Sequence, residues 1–377
     1  MLLASTQSTI GGVVLFGAIV IAVTYAWINI RQGRPEIGSE IELAANRGNV
    51  ATDEELEGKR LDRVLLSGLI GLFVVAIALA LYFLNEPGRQ AGAREEFGNV
   101  FVTRGAEMFD TTENGGFNCA FCHGGMDAKG SVVPFTITDA NGQFVEQVEW
   151  KAPALDTVLL RYSREEVRYV LTFGRTYSPM PAWGVEGGGP LNDQQLQNLI
   201  DYMASIQLTP EESQAQVPGA REEEVAAAAE AGVPYASEGE ALFNLGYYTN
   251  FAGGAYSCGR CHTTGWSYSQ KGPDGNGALG PSLRDGVSRT RFPGPVTGFN
   301  QQVDFVCAGS ERGVNYGRNG QGTGRMPGFC QTPAAVDNAL ETGEVGVIPQ
   351  DPSDPDTVGG MFSKEDVEKI VRYERGL

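Results

Sequence analysis

The chain has 377 residues, of which 42% are hydrophobic, and a formal net charge of −18 at pH 7. A chain of this length predicts two or three domains, and its charge favours a soluble surface and cationic partners. Because it has no basic stripe, we expect no nucleic acid among its partners.

Two apolar runs near the start of the chain predict transmembrane helices over residues 10–30 and 64–84. Each run is long enough to cross a bilayer, and neither has a polar face. Tyr25, Trp27 and Tyr82 lie near the span ends, where amphipathic rings favour the membrane interface. A cleaved signal peptide is the alternative for the first run, but no basic residue precedes it.

The basic residues between the spans predict the orientation of the chain. The segment before the first span has no basic residue. The connection 31–63 has six: Arg31, Arg34, Arg47, Lys59, Arg60 and Arg63. The positive-inside rule then places this loop in the cytoplasm and the remainder outside. We therefore predict a multi-pass protein of the cytoplasmic membrane, anchored by residues 1–94, with the rest of the chain extracytoplasmic.

Both histidines of the chain end the same short pattern, which occurs in NCAFCH and again in SCGRCH. The pattern C-x-x-C-H is the attachment signal of c-type haem, in which two sulfurs bind the vinyl groups and the histidine binds the iron. A redox dithiol or a four-cysteine zinc site needs no histidine at a fixed place. We predict two covalently bound haem c groups, held by Cys119, Cys122 and His123 and by Cys258, Cys261 and His262.

The second axial ligand of each iron is predicted to be a methionine, because no histidine remains. Met180 in YSPMPAWG and Met326 in GRMPGF each precede a proline, which stiffens the loop that presents the sulfur. Methionine and histidine are a known ligand pair in cytochromes c, although a methionine can also simply fill core space. A ligating histidine usually donates its other N–H to a carbonyl, and Pro153 and Pro281 are the candidates.

Helices are predicted on both sides of each motif, over residues 95–111, 191–207, 237–246 and 362–377. Within 131–150, the pair Asn141-Gly142 between β-rich runs predicts a small β-hairpin, with an irregular loop as the alternative. The stretch 208–235 is rich in Glu, Ala, Gln and Pro. We predict a linker there, because even its helix-like part offers no apolar face.

Cys307 and Cys330 remain after the haem motifs are assigned. In an oxidising compartment two remaining cysteines favour a disulfide, and two buried free thiols are the alternative.

Residues 95–207 and 236–377 each resemble a class I cytochrome c domain. The shared features are an N-terminal helix, C-x-x-C-H, a proline turn, a Met-Pro loop and a C-terminal helix with an aromatic residue, Tyr202 or Tyr373. The resemblance implies a mainly α fold: two N-terminal transmembrane helices followed by two class I cytochrome c domains, the first with a small β-hairpin insertion.

The whole chain resembles the membrane-anchored dihaem cytochrome c subunit of a bacterial respiratory complex of actinobacterial type. This resemblance implies a relay of single electrons between a quinol-oxidising cytochrome bc complex and a terminal oxidase, without catalytic residues. The order of two spans and two haem domains is also similar to the dihaem subunit of cbb-type oxidases. A dihaem enzyme, either a peroxidase or a sulfur-compound dehydrogenase, is a further alternative that would need one iron open to substrate.

Overall fold

The computed structural model describes residues 6–33, 57–139, 141–175, 178–310, 326–330 and 360–377. The chain divides into two compact units, Met1–Gln90 and Ala91–Leu377. The described residues are mainly helical, and their sheet has two strands. The predicted mainly α fold is confirmed at this level.

Two long helices begin the chain: α1 (Thr6–Gly33) and α2 (Lys59–Phe109). Of the described residues, one helix is long and apolar enough to cross a membrane, Leu61–Phe109, with a mean hydropathy of 2.8 in its most apolar window. The apolar part of α1, Phe16–Ile28, is shorter. The span over 64–84 therefore has support from length and composition, whereas the span over 10–30 stays a prediction. Residues 34–56 of the predicted cytoplasmic loop lie outside the described residues.

The second unit contains the remaining elements, most of them short helices. In chain order they are α3 (Cys119–His123), β1 (Ser131–Thr138), β2 (Phe144–Ala152), α4 (Arg164–Phe173), α5 (Asp193–Ser205), α6 (Pro210–Glu230), α7 (Glu238–Phe243), α8 (Gly259–His262), α9 (Val287–Arg291), α10 (Thr297–Ala308) and α11 (Lys364–Glu374). Asn192 caps α5 and Ser363 caps α11, each accepting a hydrogen bond from the backbone N–H three residues on.

A hydrophobic core surrounds each C-x-x-C-H motif. We call these the first core, which includes Phe109, Leu191 and Leu199, and the second core, which includes Phe243 and Ile370. Ala154 and Leu160, which follow the first motif in sequence, belong to the second core. The two halves of the second unit are therefore packed directly against each other.

The same helix crossing occurs in both cores. A Cβ on Gly105 of α2 would lie 2.0 Å from the carbonyl oxygen of Asn198 and 2.7 Å from Cβ of Tyr202. A Cβ on Gly239 of α7 would lie 2.2 Å from the carbonyl oxygen of Lys369. Each crossing is possible because glycine lets two helix backbones touch.

An aromatic pair accompanies each crossing, four residues after its glycine. The rings of Phe109 and Tyr202 lie 5.1 Å apart, and those of Phe243 and Tyr373 lie 5.4 Å apart. The two halves thus join their first and last helices in the same way.

Strands β1 and β2 form the predicted hairpin. They pair antiparallel from Ser131 opposite Ala152 to Thr138 opposite Phe144, with an irregularity at the turn end. Gly142 has φ of 77°, as a tight hairpin turn requires, and the Asp139 carboxylate accepts the N–H groups of Asn141 and Gln143. The side chain of Trp150 on β2 stacks on Tyr268 of the second half at 5.5 Å.

The prediction that 208–235 has no face to bury is wrong. Helix α6 buries one stripe at helical spacing, formed by Ser213, Val217, Ala220, Glu224 and Ala228. Small and acidic residues do not form an apolar pattern, so this face cannot be recognised from hydrophobic periodicity. The buried residue Glu224 is satisfied by hydrogen bonds from the backbone N–H groups of Gly246, Tyr248 and Thr249 and the hydroxyls of Thr249 and Tyr235.

The predicted disulfide between Cys307 and Cys330 is present, with the two Cα atoms 4.3 Å apart. It connects the end of α10 to the segment that follows Met326.

Candidate haem sites

The first motif forms the short helix α3, and its histidine is oriented from a distant segment. Nδ1 of His123 lies 2.8 Å from the carbonyl oxygen of Pro153, as the sequence predicted. Because a carbonyl only accepts, Nδ1 carries the hydrogen and Nε2 is left as the ligand atom. Desolvation lowers the pKa of His123, and the charge of Arg260 lowers it further, so the ring is kept in the neutral form that ligates a metal.

The second motif repeats this arrangement. Nδ1 of His262 lies 2.8 Å from the carbonyl oxygen of Pro281, again as predicted. A Cβ on the preceding Gly280 would lie 2.6 Å from Cε1 of the ring, so only glycine fits against this face of the imidazole. Burial lowers the pKa of His262 as well.

The four motif cysteines form no disulfide with one another. Burial raises the pKa of Cys119 to about 12 and that of Cys258 well above its usual value, which is opposite to the low pKa of a reactive dithiol. Among the residues that the structure describes, no three His, Cys, Asp or Glu side chains are grouped to hold a metal ion. The donor set therefore fits two thioether bonds and one imidazole ligand per motif, and not a shared zinc site.

Met180 and Met326 lie at the edges of different cores, Met180 at the first and Met326 at the second, and both are partly buried. A serine fixes the backbone at each of them. The N–H of Met180 donates to Oγ of Ser178 at 3.3 Å, and the N–H of Met326 donates to Oγ of Ser310 at 3.0 Å. Both loops are thus held on a core that carries one motif, and the role of each sulfur as an iron ligand remains a prediction.

Three arginine side chains interact electrostatically beside the second motif, and the sequence pattern does not predict this group. The guanidinium of Arg260, inside the second motif, donates to the carbonyl oxygens of Lys151 and Gly253 at 2.9 and 2.7 Å. The guanidinium groups of Arg161 and Arg175 lie 5.6 and 5.4 Å from the ring centre of Tyr162. The one available signal was an arginine between the two cysteines of SCGRCH.

Comparison with known proteins matches part of the chain. A family model described as cytochrome c oxidase, cbb3-type, subunit III, matches residues 102–203, which include the first motif, Met180 and most of helix α5. No curated protein and no solved structure matches the chain. The family match and the first motif together show that residues 102–203 contain a cytochrome c domain, whose cofactor is covalently bound haem c and whose chemistry is electron transfer.

Proposed function

We propose that this chain is a membrane-anchored dihaem c-type cytochrome that relays single electrons between a quinol-oxidising cytochrome bc complex and a terminal oxidase. The observation that carries the proposal is the repetition of the histidine geometry. Two C-x-x-C-H motifs each present a histidine whose Nδ1 lies 2.8 Å from a proline carbonyl. The family match covers the first of them, and the shared geometry extends the assignment to the second.

The helix crossings support a second cytochrome c domain independently of the motifs. Gly105 and Gly239 allow the same close approach of first and last helices, and an aromatic pair follows each of them. A common pattern of motif, oriented histidine, Met-Pro loop and helix crossing is what a duplicated domain produces. The alternative of an unrelated second half explains none of these correspondences.

A bound haem supplies an iron that changes its oxidation state by one electron. In the proposal, two haems would be held through thioether bonds to Cys119, Cys122, Cys258 and Cys261, and His123 and His262 would each supply an iron ligand. Met180 and Met326 would supply the remaining iron ligands, so that a substrate would find no open position, and a sulfur ligand would raise the reduction potential relative to a second histidine. Such sites exchange electrons and do not turn over substrates.

The membrane setting is proposed from α2, which has the length and composition of a span, together with the predicted span over 10–30 and the basic residues between them. Anchoring confines the haems to the membrane surface and so raises their effective concentration at a membrane-bound partner. The family match covers residues 102–203 alone and does not favour one respiratory setting over the other. A dihaem subunit within a cbb-type oxidase remains the alternative.

The test is to purify the full chain from native membranes in mild detergent and to follow the haem absorbance of the resulting complex. We expect quinol to reduce the haems and oxygen to reoxidise them. The variant Cys258→Ser/Cys261→Ser should lose one of these two half-reactions, whereas Cys307→Ser/Cys330→Ser, with both motifs intact, should keep both. Peroxide turnover by the isolated chain, without exchange with quinol or oxygen, would contradict the relay.

A further inference from the structure

Two segments that lie outside the C-x-x-C-H motifs, one after the first motif and one before the second, are in direct backbone contact. The end of β2 and the residues after it meet the segment that precedes the second motif. The N–H of Ala154 donates to the carbonyl oxygen of Ala252 at 2.9 Å. A Cβ on Gly253 would lie 1.8 Å from the carbonyl oxygen of Ala152, so the two backbones are in contact there. We call residues 151–154 the bridging segment.

Two functional side chains, one from each motif, bind the bridging segment. The carbonyl of Pro153 accepts the hydrogen bond from Nδ1 of His123. The carbonyl of Lys151, two residues earlier, accepts a hydrogen bond from Arg260. Arg260 directly precedes Cys261, one of the predicted thioether positions of the second motif. The histidine of the first site and an arginine of the second are thus held by neighbouring carbonyls of one short segment.

Two positive charges meet at the bridging segment of this strongly acidic chain, because Lys151 belongs to it and Arg260 is hydrogen-bonded to it. Lys151 is only 2% exposed, and its ammonium donates a hydrogen bond to the side-chain amide oxygen of Asn250. The hydrogen bonds that the structure gives for the Arg260 guanidinium both go to carbonyl oxygens, which do not neutralise its charge. A cation next to a redox centre stabilises the form with the lower charge, which for haem is the reduced form.

We propose that Arg260 is a positioning residue that couples the two sites: it holds the second motif on the bridging segment and places a fixed positive charge beside the first haem, which raises the potential of that haem. The inference rests on the proposed function, because both motifs must carry haem. A unit charge that acts over a separation on the order of 10 Å, at an effective dielectric constant of about 20, changes a one-electron equilibrium on the order of tenfold. For a one-electron couple this corresponds to about 59 mV.

The experiment is a redox titration of the full-length protein in detergent, followed by the haem absorbance. Met180→His replaces the predicted sulfur ligand by imidazole and should lower the potential of the first haem. The titration wave that moves in this variant is therefore the wave of the first haem. We expect Arg260→Gln to lower the reduction potential of the first haem, which corresponds to a decrease on the order of tenfold in its reduction equilibrium constant. Arg260→Lys, which keeps the charge, should restore most of the shift. The control Arg289→Gln removes one exposed charge from α9 and should leave both waves in place.

Several results would overturn the inference. They are an unmoved first wave in Arg260→Gln, a shift confined to the second haem, a shift no larger than that of Arg289→Gln, or no restoration by lysine. If Arg260→Gln fails to retain both haems, Lys151→Gln removes the neighbouring charge of the same segment. That variant should lower the first wave, and an unchanged wave counts against the proposal. A wild-type protein with fewer than two haems contradicts the proposed function itself, so the two failures are distinguishable.

Discussion

The crossing of α2 and α5 predicts that Gly105→Ala destabilises the second unit, although alanine is the better helix former. In a helix interior, alanine is favoured over glycine by about 1 kcal/mol. At position 105, however, the added Cβ would lie 2.0 Å from the carbonyl oxygen of Asn198 and 2.7 Å from its carbon. These are backbone atoms, so they cannot move aside by a change of rotamer.

The helices would have to separate, and overpacking of this kind costs about 1–3 kcal/mol. Separation would also loosen the pair formed by Phe109 and Tyr202, whose rings lie 5.1 Å apart. Because a contact of 2.0 Å with backbone places the steric cost in the upper part of this range, the cost exceeds the gain in propensity, and we expect a net loss of up to about 2 kcal/mol in the free energy of unfolding.

Gly98 on the same helix provides the matched control, since nothing lies within 4 Å of the position of its Cβ. Gly98→Ala should be neutral or stabilising by up to about 1 kcal/mol. The assay is urea unfolding of the detergent-solubilised protein, monitored by near-ultraviolet circular dichroism. Equal midpoints for Gly105→Ala and Gly98→Ala would refute the crossing as the cause.

Three further predictions concern a buried acid, the methionines and the disulfide. Burial raises the pKa of Glu374 to about 7, from 4.5, against the opposing hydrogen bond from Gln302. Its folded form binds the proton more tightly, so its contribution to the free energy of unfolding is complete below pH 4.5 and falls by roughly 3 kcal/mol as the pH rises to 7. Glu374→Gln should remove this fall in urea titrations at several pH values, and identical pH profiles would show that the carboxyl does not titrate in this way. Met180→Ala and Met326→Ala should each lower the potential of one haem and abolish its weak sulfur-to-iron absorption band while the haem content stays constant; an unchanged band identifies the wrong methionine. Alkylation of the denatured, unreduced protein should leave Cys307 and Cys330 unmodified, and modification of both would exclude the disulfide seen between them.

The features that the sequence predicted are those that need only local information. C-x-x-C-H encodes its chemistry within five residues, and Asn141-Gly142 sets the hairpin turn through backbone conformation alone. Pro153 and Pro281 were found by their matching places after the motifs, and both carbonyls lie where a histidine partner was expected.

The features that were missed depend on contacts between distant segments. The buried stripe of α6 consists of small residues and Glu224, whose charge is compensated by backbone donors about twenty residues away. The role of Gly105 becomes visible only when α5 is in place, although the repeat of a glycine and an aromatic residue four positions later, at 105 and 239, was present in the sequence. Arg260 was overlooked because the residues between the two cysteines are variable by definition in the C-x-x-C-H pattern.

Mass spectrometry of proteolytic peptides from the membrane-purified protein tests most directly whether both motifs carry haem. We predict two haem-bearing peptides, one containing Cys119 and Cys122 and the other Cys258 and Cys261, each heavier by one haem. Haem on the first peptide alone, with both cysteines of the second peptide alkylated, would contradict the assignment of two haems and leave a single cytochrome c domain.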